Sequence, residues 1–460
     1  MKVAVVGGGI AGLTAAWQLH RLGVDFQLYE AANRLGGTVQ TLRRDGFVIE
    51  LGPDGWVTEK PWAAALARDL GLEDQLIPSN DADRVTYILT GNHLAPMPDG
   101  MRMMVPTNLE ALNHSPLFSD LARAAYAAEP ARAQELRTAA PDHDESVADF
   151  VARHFGPEVL DKLAAPLLSG VFGGNVARLS VRAVMPAFVQ MEREHGSLIL
   201  ALQARQRAST PPAIFTTLRT GTQALIDRMQ ADLPAASIRL NSPINEISAH
   251  ATGWRLRTST HESSCDHVVL ATPAHVTRAL LTGVAPAAAA LLTLEATSAV
   301  IAAFAFDETF PLPKGFGFLV PFSEPSPLLA CTFVDQKFPD RAPAGKRLIR
   351  AFFGGADAPA VAALSDEAIA ALALTELQKI LGSLPNPIIS IVQRWPQSLP
   401  QYAVGHIDRI ASLERQLPAN LHLLGNPYHG VGLPDLIRDA RALAYSLNGN
   451  ASASLQGPPR

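Results

Sequence analysis

The stretch from Lys2 to Glu30 constrains the fold of this chain more than any other. An apolar strand at residues 3–6 leads into the glycine-rich sequence GGGIAG at 7–12, followed by a helix through about residue 22 and a second strand. In a βαβ unit of this size, Gly7 makes the tight turn, Gly9 lets the backbone approach a pyrophosphate, and Gly12 allows close helix–strand packing. An anion is favoured at the helix N-terminus by its unpaired N–H groups and the helix dipole. The stretch therefore predicts a dinucleotide site on an α/β unit.

The second strand of this unit ends on an acidic residue. Glu30 follows Gly12 by 18 positions, where a carboxylate can accept hydrogen bonds from ribose hydroxyls and disfavours an adenosine 2′-phosphate. The alternative interpretation is a glycine-rich turn in an ordinary α/β protein. Two flanking strands and the acid at the expected distance favour the dinucleotide.

Composition sets the broad class of protein. The chain has 460 residues, of which 48% are hydrophobic and 18% charged, which predicts a globular protein of more than one domain. Its net charge of −5, without a lysine-arginine block, argues against a nucleic-acid partner. Cys265 and Cys331 cannot form a disulfide framework, which fits the reducing cytoplasm. Residues 1–2 lead directly into a strand, so no signal peptide is predicted.

Two apolar regions raise the question of a membrane. The window 285–306 is rich in alanine and leucine but contains Glu295, and its second half has strand character, so a core segment is favoured over a transmembrane helix. A second set of apolar residues could form a membrane-facing surface or pack in a core, and methionine clusters usually fill cores. This set comprises Met101, Met103, Met104, Val105 and Leu117.

Further glycine turns occur along the chain. The sequence RLGGT occupies 34–38, GPDG occupies 52–55, and GVGLPD at 430–435 precedes a predicted helix that starts at about residue 436. Each could bring backbone amides close to a ligand, and each could equally be an ordinary turn. A glycine-rich approach to a helix N-terminus directs positive potential at an anion.

Taken together, GGGIAG, RLGG, GPDG and GVGLPD resemble the FAD-dependent amine oxidase superfamily. The sequence SGVFGG at 169–174, followed by Leu179-Ser180, resembles the protoporphyrinogen oxidase family, which comprises oxygen-dependent porphyrinogen oxidases of haem synthesis. The resemblance implies an α/β protein with a Rossmann-like FAD-binding domain, a mixed-sheet substrate domain and a helical insertion that could carry the membrane-facing surface. The implied domains are 1–58, 210–285 and 405–460 for FAD, 59–90 and 286–404 for the substrate, and 91–209 for the insertion.

The resemblance also implies that the dinucleotide is FAD and not NAD. In the superfamily, the RLGG segment contacts ribose and diphosphate, GPDG passes close to the flavin ring, and an aliphatic residue at position 244 lies against the adenine. The residues expected to contact FAD are Gly7, Gly8, Gly9, Ile10, Ala11, Gly12, Glu30, Ala31, Arg34, Gly37, Thr38, Gly52, Pro53, Asp54, Gly55, Ile244, Trp395, Val431, Gly432 and Leu433.

For the substrate, the resemblance implies a porphyrinogen oxidised to the porphyrin in three two-electron steps, with O2 as acceptor and H2O2 as product. Arg84 could pair with a propionate, or it could be a surface arginine beside Asp81. Leu319 and Phe338 match positions where apolar side chains can sandwich a tetrapyrrole, although core packing explains them equally well. Because Arg84 is the only cation that can be placed, protoporphyrinogen IX is weakly favoured over coproporphyrinogen III, which has two more propionates.

Several further expectations concern the chemistry and the partners. No catalytic acid or base is nominated, because the flavin carries the hydride chemistry. His261, Cys265 and His267 lack a fourth ligand, so no metal site is predicted. The segments 254–258 and 267–270 are expected to pair as a hairpin. A homodimer and peripheral membrane contact are compatible with the resemblance.

Two competing functions remain open. An amine oxidase or a polyene desaturase on the same FAD scaffold would need an aromatic cage or a long apolar tunnel, and it would leave SGVFGG unexplained. A flavin-binding redox partner without turnover would show no bleaching of its flavin when a porphyrinogen is added without air.

Overall fold

The structure is a computed structural model that describes residues 1–206, 213–251 and 253–449. The expected domain boundary at residues 209/210 lies outside the described residues, and so do residues 450–460 of the expected FAD-binding segment. The chain combines helices with a parallel sheet and a mixed sheet, as expected of an α/β protein. The domain bounds themselves stay a prediction.

A five-stranded parallel sheet forms the core of the first layer. The strand Lys2–Val6 lies at its centre and pairs with Asp25–Tyr29 on one side and His267–Leu270 on the other. Residues 3–6 are at most 5% exposed because both faces of the sheet are covered, which is why this strand is continuously apolar. In spatial order the strands are Ile238–Arg239, Asp25–Tyr29, Lys2–Val6, His267–Leu270 and Leu421–Leu423.

The first helix, Ile10–Arg21, packs against the C-terminal helix Leu433–Leu447. Residues 10–19 of the first helix are all buried, so it is a core helix and not an amphipathic surface helix. The C-terminal helix begins at Leu433, three residues before the predicted start. The other helices of this region are Trp62–Asp69, Gln223–Asp232, Ala274–Thr282, Pro286–Leu291 and His406–Arg415.

A seven-stranded mixed sheet forms the second layer. Its longest strands, Ala296–Phe306 and Ile389–Pro400, pair antiparallel, and the register shifts between Thr297 and Ala299, opposite residues 395–399. In spatial order the strands are Ile389–Pro400, Ala296–Phe306, Arg347–Phe353, Ala330–Phe333, Gly317–Leu319, Thr86–Thr90 and His93–Pro96. The helices Val334–Lys337, Ala358–Ala362 and Asp366–Leu381 accompany this sheet.

Smaller sheets complete the β structure, and one of them corrects an expectation. The predicted hairpin is wrong: Gly253–Arg257 pairs with Glu246–His250 and Glu262–Cys265, whereas the segment that begins at His267 enters the parallel sheet. That segment is fully apolar at residues 268–270, and the buried parallel sheet accommodates such a strand better than an exposed hairpin does. The remaining strands are Thr41–Arg44 with Phe47–Glu50, Met101–Arg102 with Val105–Pro106, and Trp56–Val57, Phe215–Leu218 and Leu76–Pro78.

Short helices dominate between residues 110 and 206. They enclose a separate apolar core in which Met101, Met104, Val105 and Leu117 are buried, so packing is confirmed for these four residues. Met103 is 37% exposed. The helices are Glu110–Asn113, Asp120–Ala128, Ala133–Ala139, Val147–Phe155, Pro157–Val159, Ala165–Phe172, Val181–Val184, Pro186–His195 and Leu198–Gln206, with a π-helical segment at Leu160–Ala164.

The window 285–306 contains the helix Pro286–Leu291 and the strand Ala296–Phe306 of the mixed sheet, so its predicted strand is confirmed. None of the helices in the described ranges combines the length and the apolar character needed to cross a bilayer.

Candidate functional site

The glycine-rich turn after the first strand has the geometry that a diphosphate site needs. Gly7 has a φ of +105°, and a Cβ atom there would lie 2.4 Å from the carbonyl oxygen of Ala271. A Cβ on Gly12 would lie 2.0 Å from the carbonyl oxygen of Gly7, so the helix can approach the turn only without a side chain. A Cβ on Gly9 would meet no atom within 4 Å, because this residue faces the cavity. Both close approaches and the open side therefore match the expected roles.

Glu30 lies at the end of the second strand and faces the same turn. Its Oε2 accepts a hydrogen bond from the amide of Gly8 at 2.6 Å, and its Oε1 accepts one from the amide of Ala32 at 2.7 Å. These bonds orient the carboxylate beside the cavity. Since a carboxylate has about four lone-pair positions, two acceptor positions remain for ribose hydroxyls.

A cavity of about 770 Å³ extends from this turn to the bulged end of the mixed sheet. Its size lies within the usual range for cofactor sites. Of the residues predicted to contact FAD, those that line it are Gly7, Gly9, Ile10, Ala11, Glu30, Ala31, Arg34, Gly37, Thr38, Ile244 and Trp395. The predicted residues that are not among its lining are Gly8, Gly12, Gly52, Pro53, Asp54, Gly55, Val431, Gly432 and Leu433.

Some lining residues were not among those predicted to contact the cofactor. They come from the strand exit at 271–276, from the bulge at 396–398 and from the loop at 425–427. His275 and Asn426 add polar side chains, and Gln397 lies in the bulge with a positive φ of 48°. A strained backbone of this kind at a cavity is an indicator that only coordinates provide.

Arg34 holds the RLGG turn together. Its guanidinium donates to the carbonyl oxygens of Leu35, at 3.0 Å, and of Gly37, and it lies 6.0 Å from the centre of the Trp395 ring. Burial lowers the pKa of Arg34, and the nearby Glu30 carboxylate partly opposes this shift. The Arg34 side chain thus contacts both the RLGG turn and Trp395, which also lines the cavity.

The GPDG turn lies behind the wall of the cavity. A Cβ on Gly52 would be 1.8 Å from the carbonyl oxygen of Thr38, a lining residue, so the two backbones are in direct contact. Trp395 donates a hydrogen bond to the carbonyl oxygen of residue 51 at 2.5 Å, and Arg350 donates one to that of residue 52 at 2.5 Å. Thr222 donates one to the carbonyl oxygen of residue 53 at 3.2 Å. The turn is therefore fixed by side chains from distant parts of the chain.

A cluster of buried charges lies under this turn. We call it the buried charge cluster; it comprises Glu50, Arg341 and Arg350, which are buried, and Asp54 and Lys337, whose side chains are 18% and 12% exposed. Lys337 Nζ donates to Asp54 Oδ2 at 2.9 Å, Arg350 Nη1 lies 3.7 Å from the same oxygen, and Arg341 Nη1 lies 3.5 Å from Glu50 Oε1. Burial raises the pKa of Glu50, although Arg341 opposes the shift. Burial would also raise the pKa of Asp54, but Lys337 and Arg350 outweigh it and lower this pKa.

The first turn of the C-terminal helix lies at the cavity, where Leu436 is a lining residue. Gly432 precedes the helix, and Asp435 in its first turn is 6% exposed and accepts from Lys60 Nζ at 2.6 Å. Val431 and Leu319 both pack against the core of the helical segment. Contact of residues 431–433 with a cofactor stays a prediction.

The residues predicted to bind substrate lie in three different environments. Arg84 is 38% exposed and its Nη1 lies 3.9 Å from Asp81 Oδ2, which is the arrangement of a surface arginine. Leu319 is partly buried at the edge of the helical core. Phe338 is fully buried, and a Cβ on Gly55 would lie 3.2 Å from its ring, so it supports the GPDG turn. Their roles toward a substrate stay predictions.

Two further observations concern metal-ligating side chains and thiols in the described residues. Within residues 1–206, 213–251 and 253–449, no three His, Cys, Asp or Glu side chains are grouped so that they could hold a metal ion. Both cysteines are buried, and burial raises the pKa of Cys265 to about 11.

Comparison with known proteins places the chain among flavoproteins. The family model described as flavin containing amine oxidoreductase matches residues 10–445. The chain is 32% identical to coproporphyrinogen III oxidase of Bacillus subtilis (strain 168), over 96% of each chain. It is 28% identical to the chloroplastic protoporphyrinogen oxidase of Nicotiana tabacum, over 98% of this chain and 86% of that protein.

A solved structure shows the same fold. A crystal structure from Exiguobacterium sp. 255-15, of a candidate protoporphyrinogen oxidase, has a TM-score of 0.85 and 32% identity to this chain. The match covers 97% of this chain and 98% of that one. The expected fold class is therefore confirmed.

Proposed function

Since the chain belongs to the family of flavin-containing amine oxidoreductases, we propose that it is a flavoenzyme that oxidises a porphyrinogen to the porphyrin in haem biosynthesis. We propose coproporphyrinogen III as the substrate, FAD as the form of the flavin and O2 as the electron acceptor.

The observation that carries this proposal is the similarity to coproporphyrinogen III oxidase of Bacillus subtilis over 96% of both chains. Similarity on this scale includes the SGVFGG segment and the helices around it, which are separate from the dinucleotide unit. A relative that shared only the cofactor site would not need to resemble this chain in the SGVFGG segment. The match therefore favours a shared reaction as well as a shared cofactor.

The cofactor site is consistent with FAD. Gly9 has room for a pyrophosphate where a Cβ would otherwise stand, and Glu30 has acceptor positions for ribose hydroxyls. Ile244, 8% exposed, lines the cavity near Glu30 and would lie against the adenine. Trp395 and Asn426 also line the cavity, and the isoalloxazine would lie beside them. When bound, the flavin supplies two-electron oxidation of the substrate.

The contribution of the protein would be to bind, to orient and to exclude water. Backbone amides at the start of the first helix would bind the diphosphate, and the GPDG turn is held in place by Trp395 and Arg350. No side chain is assigned as an acid or a base. The expected division into an FAD-binding domain, a substrate domain and a helical insertion forms part of this proposal.

The choice between the two porphyrinogens rests on the relatives and not on Arg84. The weak preference for protoporphyrinogen IX came from counting the cations that could be placed near the substrate. Arg84 lies beside Asp81 and is more than one third exposed, so it adds little to that count. The names of the bacterial relatives favour coproporphyrinogen III. Peripheral membrane contact and a homodimer stay predictions.

Anaerobic reduction tests the proposal. Purified protein reconstituted with FAD is mixed with coproporphyrinogen III or protoporphyrinogen IX without air, and flavin absorbance is followed. We expect bleaching that is faster with coproporphyrinogen III, then porphyrin fluorescence and H2O2 once air is admitted. A cyclic primary amine serves as the control substrate and should leave the flavin oxidised. Absence of bleaching with both porphyrinogens would contradict the proposal and favour a redox partner without turnover.

A further inference from the structure

One tyrosine closes a loop that lines the proposed cofactor cavity. The loop at residues 425–430 presents Asn426 and Pro427 to the cavity. Tyr402 Oη donates a hydrogen bond to the carbonyl oxygen of Asn426 at 2.5 Å and accepts one from the amide of Gly430 at 3.0 Å. A single hydroxyl thus closes the loop by binding both of its ends.

The side chain of Tyr402 is buried and packs against His406. The residue is 2% exposed, and its ring stacks on His406 with 3.9 Å between ring centres and 14° between planes. His406 Nε2 lies 2.9 Å from the carbonyl oxygen of Tyr428, in the middle of the same loop. Burial raises the pKa of Tyr402, so its hydroxyl is neutral and both donates and accepts. The ring pair thus fixes the loop at three backbone positions.

The 425–430 loop is in turn hydrogen-bonded to the bulge at residues 396–398. Asn426 Nδ2 donates to the carbonyl oxygen of Ser398 at 2.9 Å, and Ser398 Oγ donates to that of Trp395 at 3.0 Å. Trp395, Gln397 and Ser398 form the bulged end of the strand and line the cavity. An unbroken series of hydrogen bonds therefore runs from Gly430 through Tyr402 and Asn426 to the bulge.

Tyr402 also contacts the helical segment. Its carbonyl oxygen accepts from the amide of Ser180 at 2.7 Å, and its ring lies 6.0 Å from that of Phe172. Both partners belong to the segment that begins with SGVFGG. The tyrosine is thus anchored on the side away from the cavity, and only its hydroxyl reaches the loop.

We propose that Tyr402 is a positioning residue for the flavin, whose hydroxyl holds the 425–430 loop and, through Asn426, the bulge at 396–398 in the arrangement that receives the isoalloxazine end of the cofactor. The inference rests on the proposed flavin site. Loss of the hydroxyl leaves the carbonyl of Asn426 and the amide of Gly430 without their partner, so the loop relaxes and the cavity loses its shape. Residues that only fill space would not respond to removal of one oxygen atom.

The experiment compares Tyr402→Phe with Tyr126→Phe. Tyr126 is fully buried in the core of the helical segment, and its hydroxyl donates to the carbonyl oxygen of Met104 at 2.9 Å. We expect Tyr402→Phe to weaken FAD binding about tenfold, which corresponds to roughly 1.4 kcal/mol. We also expect it to shift the visible flavin spectrum and to slow flavin reduction by coproporphyrinogen III at saturating FAD. Tyr126→Phe should match the wild type in all three.

The outcomes separate this inference from the proposed function. Wild-type FAD affinity, spectrum and reduction rate in Tyr402→Phe would overturn the inference, and so would equal losses in both variants. If the wild type binds FAD but no porphyrinogen reduces it, the proposed function fails, while affinity and spectrum still test Tyr402. Should Tyr402→Phe fail to fold, Asn426→Ala interrupts the same series of bonds. That variant must then weaken FAD binding, and unchanged affinity would contradict the inference.

Discussion

Trp395 Nε1 donates a hydrogen bond to the carbonyl oxygen of Leu51 at 2.5 Å and so joins two segments that lie 344 residues apart. The tryptophan lines the cavity, and Leu51 is buried and begins the GPDG turn. This bond thus links the bulged strand of the mixed sheet to a turn next to the parallel sheet.

Trp395→Phe should weaken FAD binding, because the buried carbonyl of Leu51 loses its donor and Arg34 loses the face of the indole. An unsatisfied buried acceptor costs about 1–3 kcal/mol, which predicts a rise in the FAD dissociation constant of at least about fivefold. Fluorescence titration of the apoprotein measures it. Trp17→Phe is the matched control, since it also removes an indole hydrogen bond, to Asp232 at 3.1 Å, but away from the cavity. Equal losses of affinity in both variants would contradict the prediction.

The Gly9→Ala variant should fold normally but bind FAD more weakly. A Cβ at this position meets no protein atom within 4 Å, and φ is −63°, so the polypeptide tolerates alanine. The methyl group would occupy the space proposed for the pyrophosphate. We expect the melting temperature of the apoprotein to be unchanged and FAD affinity to fall more than about tenfold, or 1.4 kcal/mol.

Gly12→Ala should behave in the opposite way and destabilise the apoprotein itself, because its Cβ would lie 2.0 Å from the carbonyl oxygen of Gly7. Overpacking of this kind costs about 1–3 kcal/mol, which chemical denaturation measures. An apoprotein as stable as the wild type would show that the turn adapts.

Glu30→Ala should lower FAD retention. The buried amide of Gly8 loses its acceptor and the proposed ribose anchor disappears, so we expect about a tenfold weaker affinity, or 1.4 kcal/mol. Flavin content after gel filtration and equilibrium titration provide the measurements. Asp25→Ala removes an exposed acid from the other end of the same strand and should leave flavin content unchanged. Full flavin content in Glu30→Ala would remove the basis for the ribose assignment.

Lys337→Met should destabilise the protein by about 3 kcal/mol, because it leaves Asp54 buried with one cation fewer. Urea denaturation at neutral pH measures the change. Adding Asp54→Asn to the Lys337→Met variant should recover part of the lost stability, since it removes the uncompensated charge. Lys346→Met breaks an exposed pair with Asp307 and should cost less than about 1 kcal/mol. Equal losses for Lys337 and Lys346 would mean that burial of the pair has no energetic effect.

The helical segment contains a second buried ionic group. His154 lies between two carboxylates, with Nδ1 3.1 Å from Glu129 and Nε2 2.9 Å from Glu192, and Arg153 pairs with Glu192 and Glu145. Burial alone would lower the pKa of His154, but the hydrogen bonds to both carboxylates outweigh it and raise this pKa above its ordinary value.

Because the folded-state pKa of His154 is raised, its protonation contributes stability that is fully present below the unfolded pKa of about 6.5. This contribution is lost as the pH rises through the folded pKa. The difference in melting temperature between the wild type and His154→Gln should therefore be largest near about pH 6 and shrink at higher pH. The exposed His114→Gln variant should track the wild type throughout. A difference that does not vary with pH would exclude this linkage.

The sequence alone specifies the dinucleotide unit to within a residue or two at each element. The strand at residues 2–6, the helix from Ile10 and the acid at Glu30 follow from local rules, since hydrophobic period, glycine conformation and strand ends are encoded by near neighbours. The strand character in the second half of the window 285–306 is read in the same way.

Tertiary structure alone decided which distant elements meet. The segment His267–Leu270 looked like one half of a hairpin, but it pairs with Lys2–Val6, because a fully apolar strand is stabilised by burial on both faces, and no local rule names its partner. The five residues of the buried charge cluster and the hydroxyl of Tyr402 acquire their partners in the same way, across tens to hundreds of positions. Local sequence determines backbone conformation, whereas burial and hydrogen-bond partners depend on the closure of the whole chain.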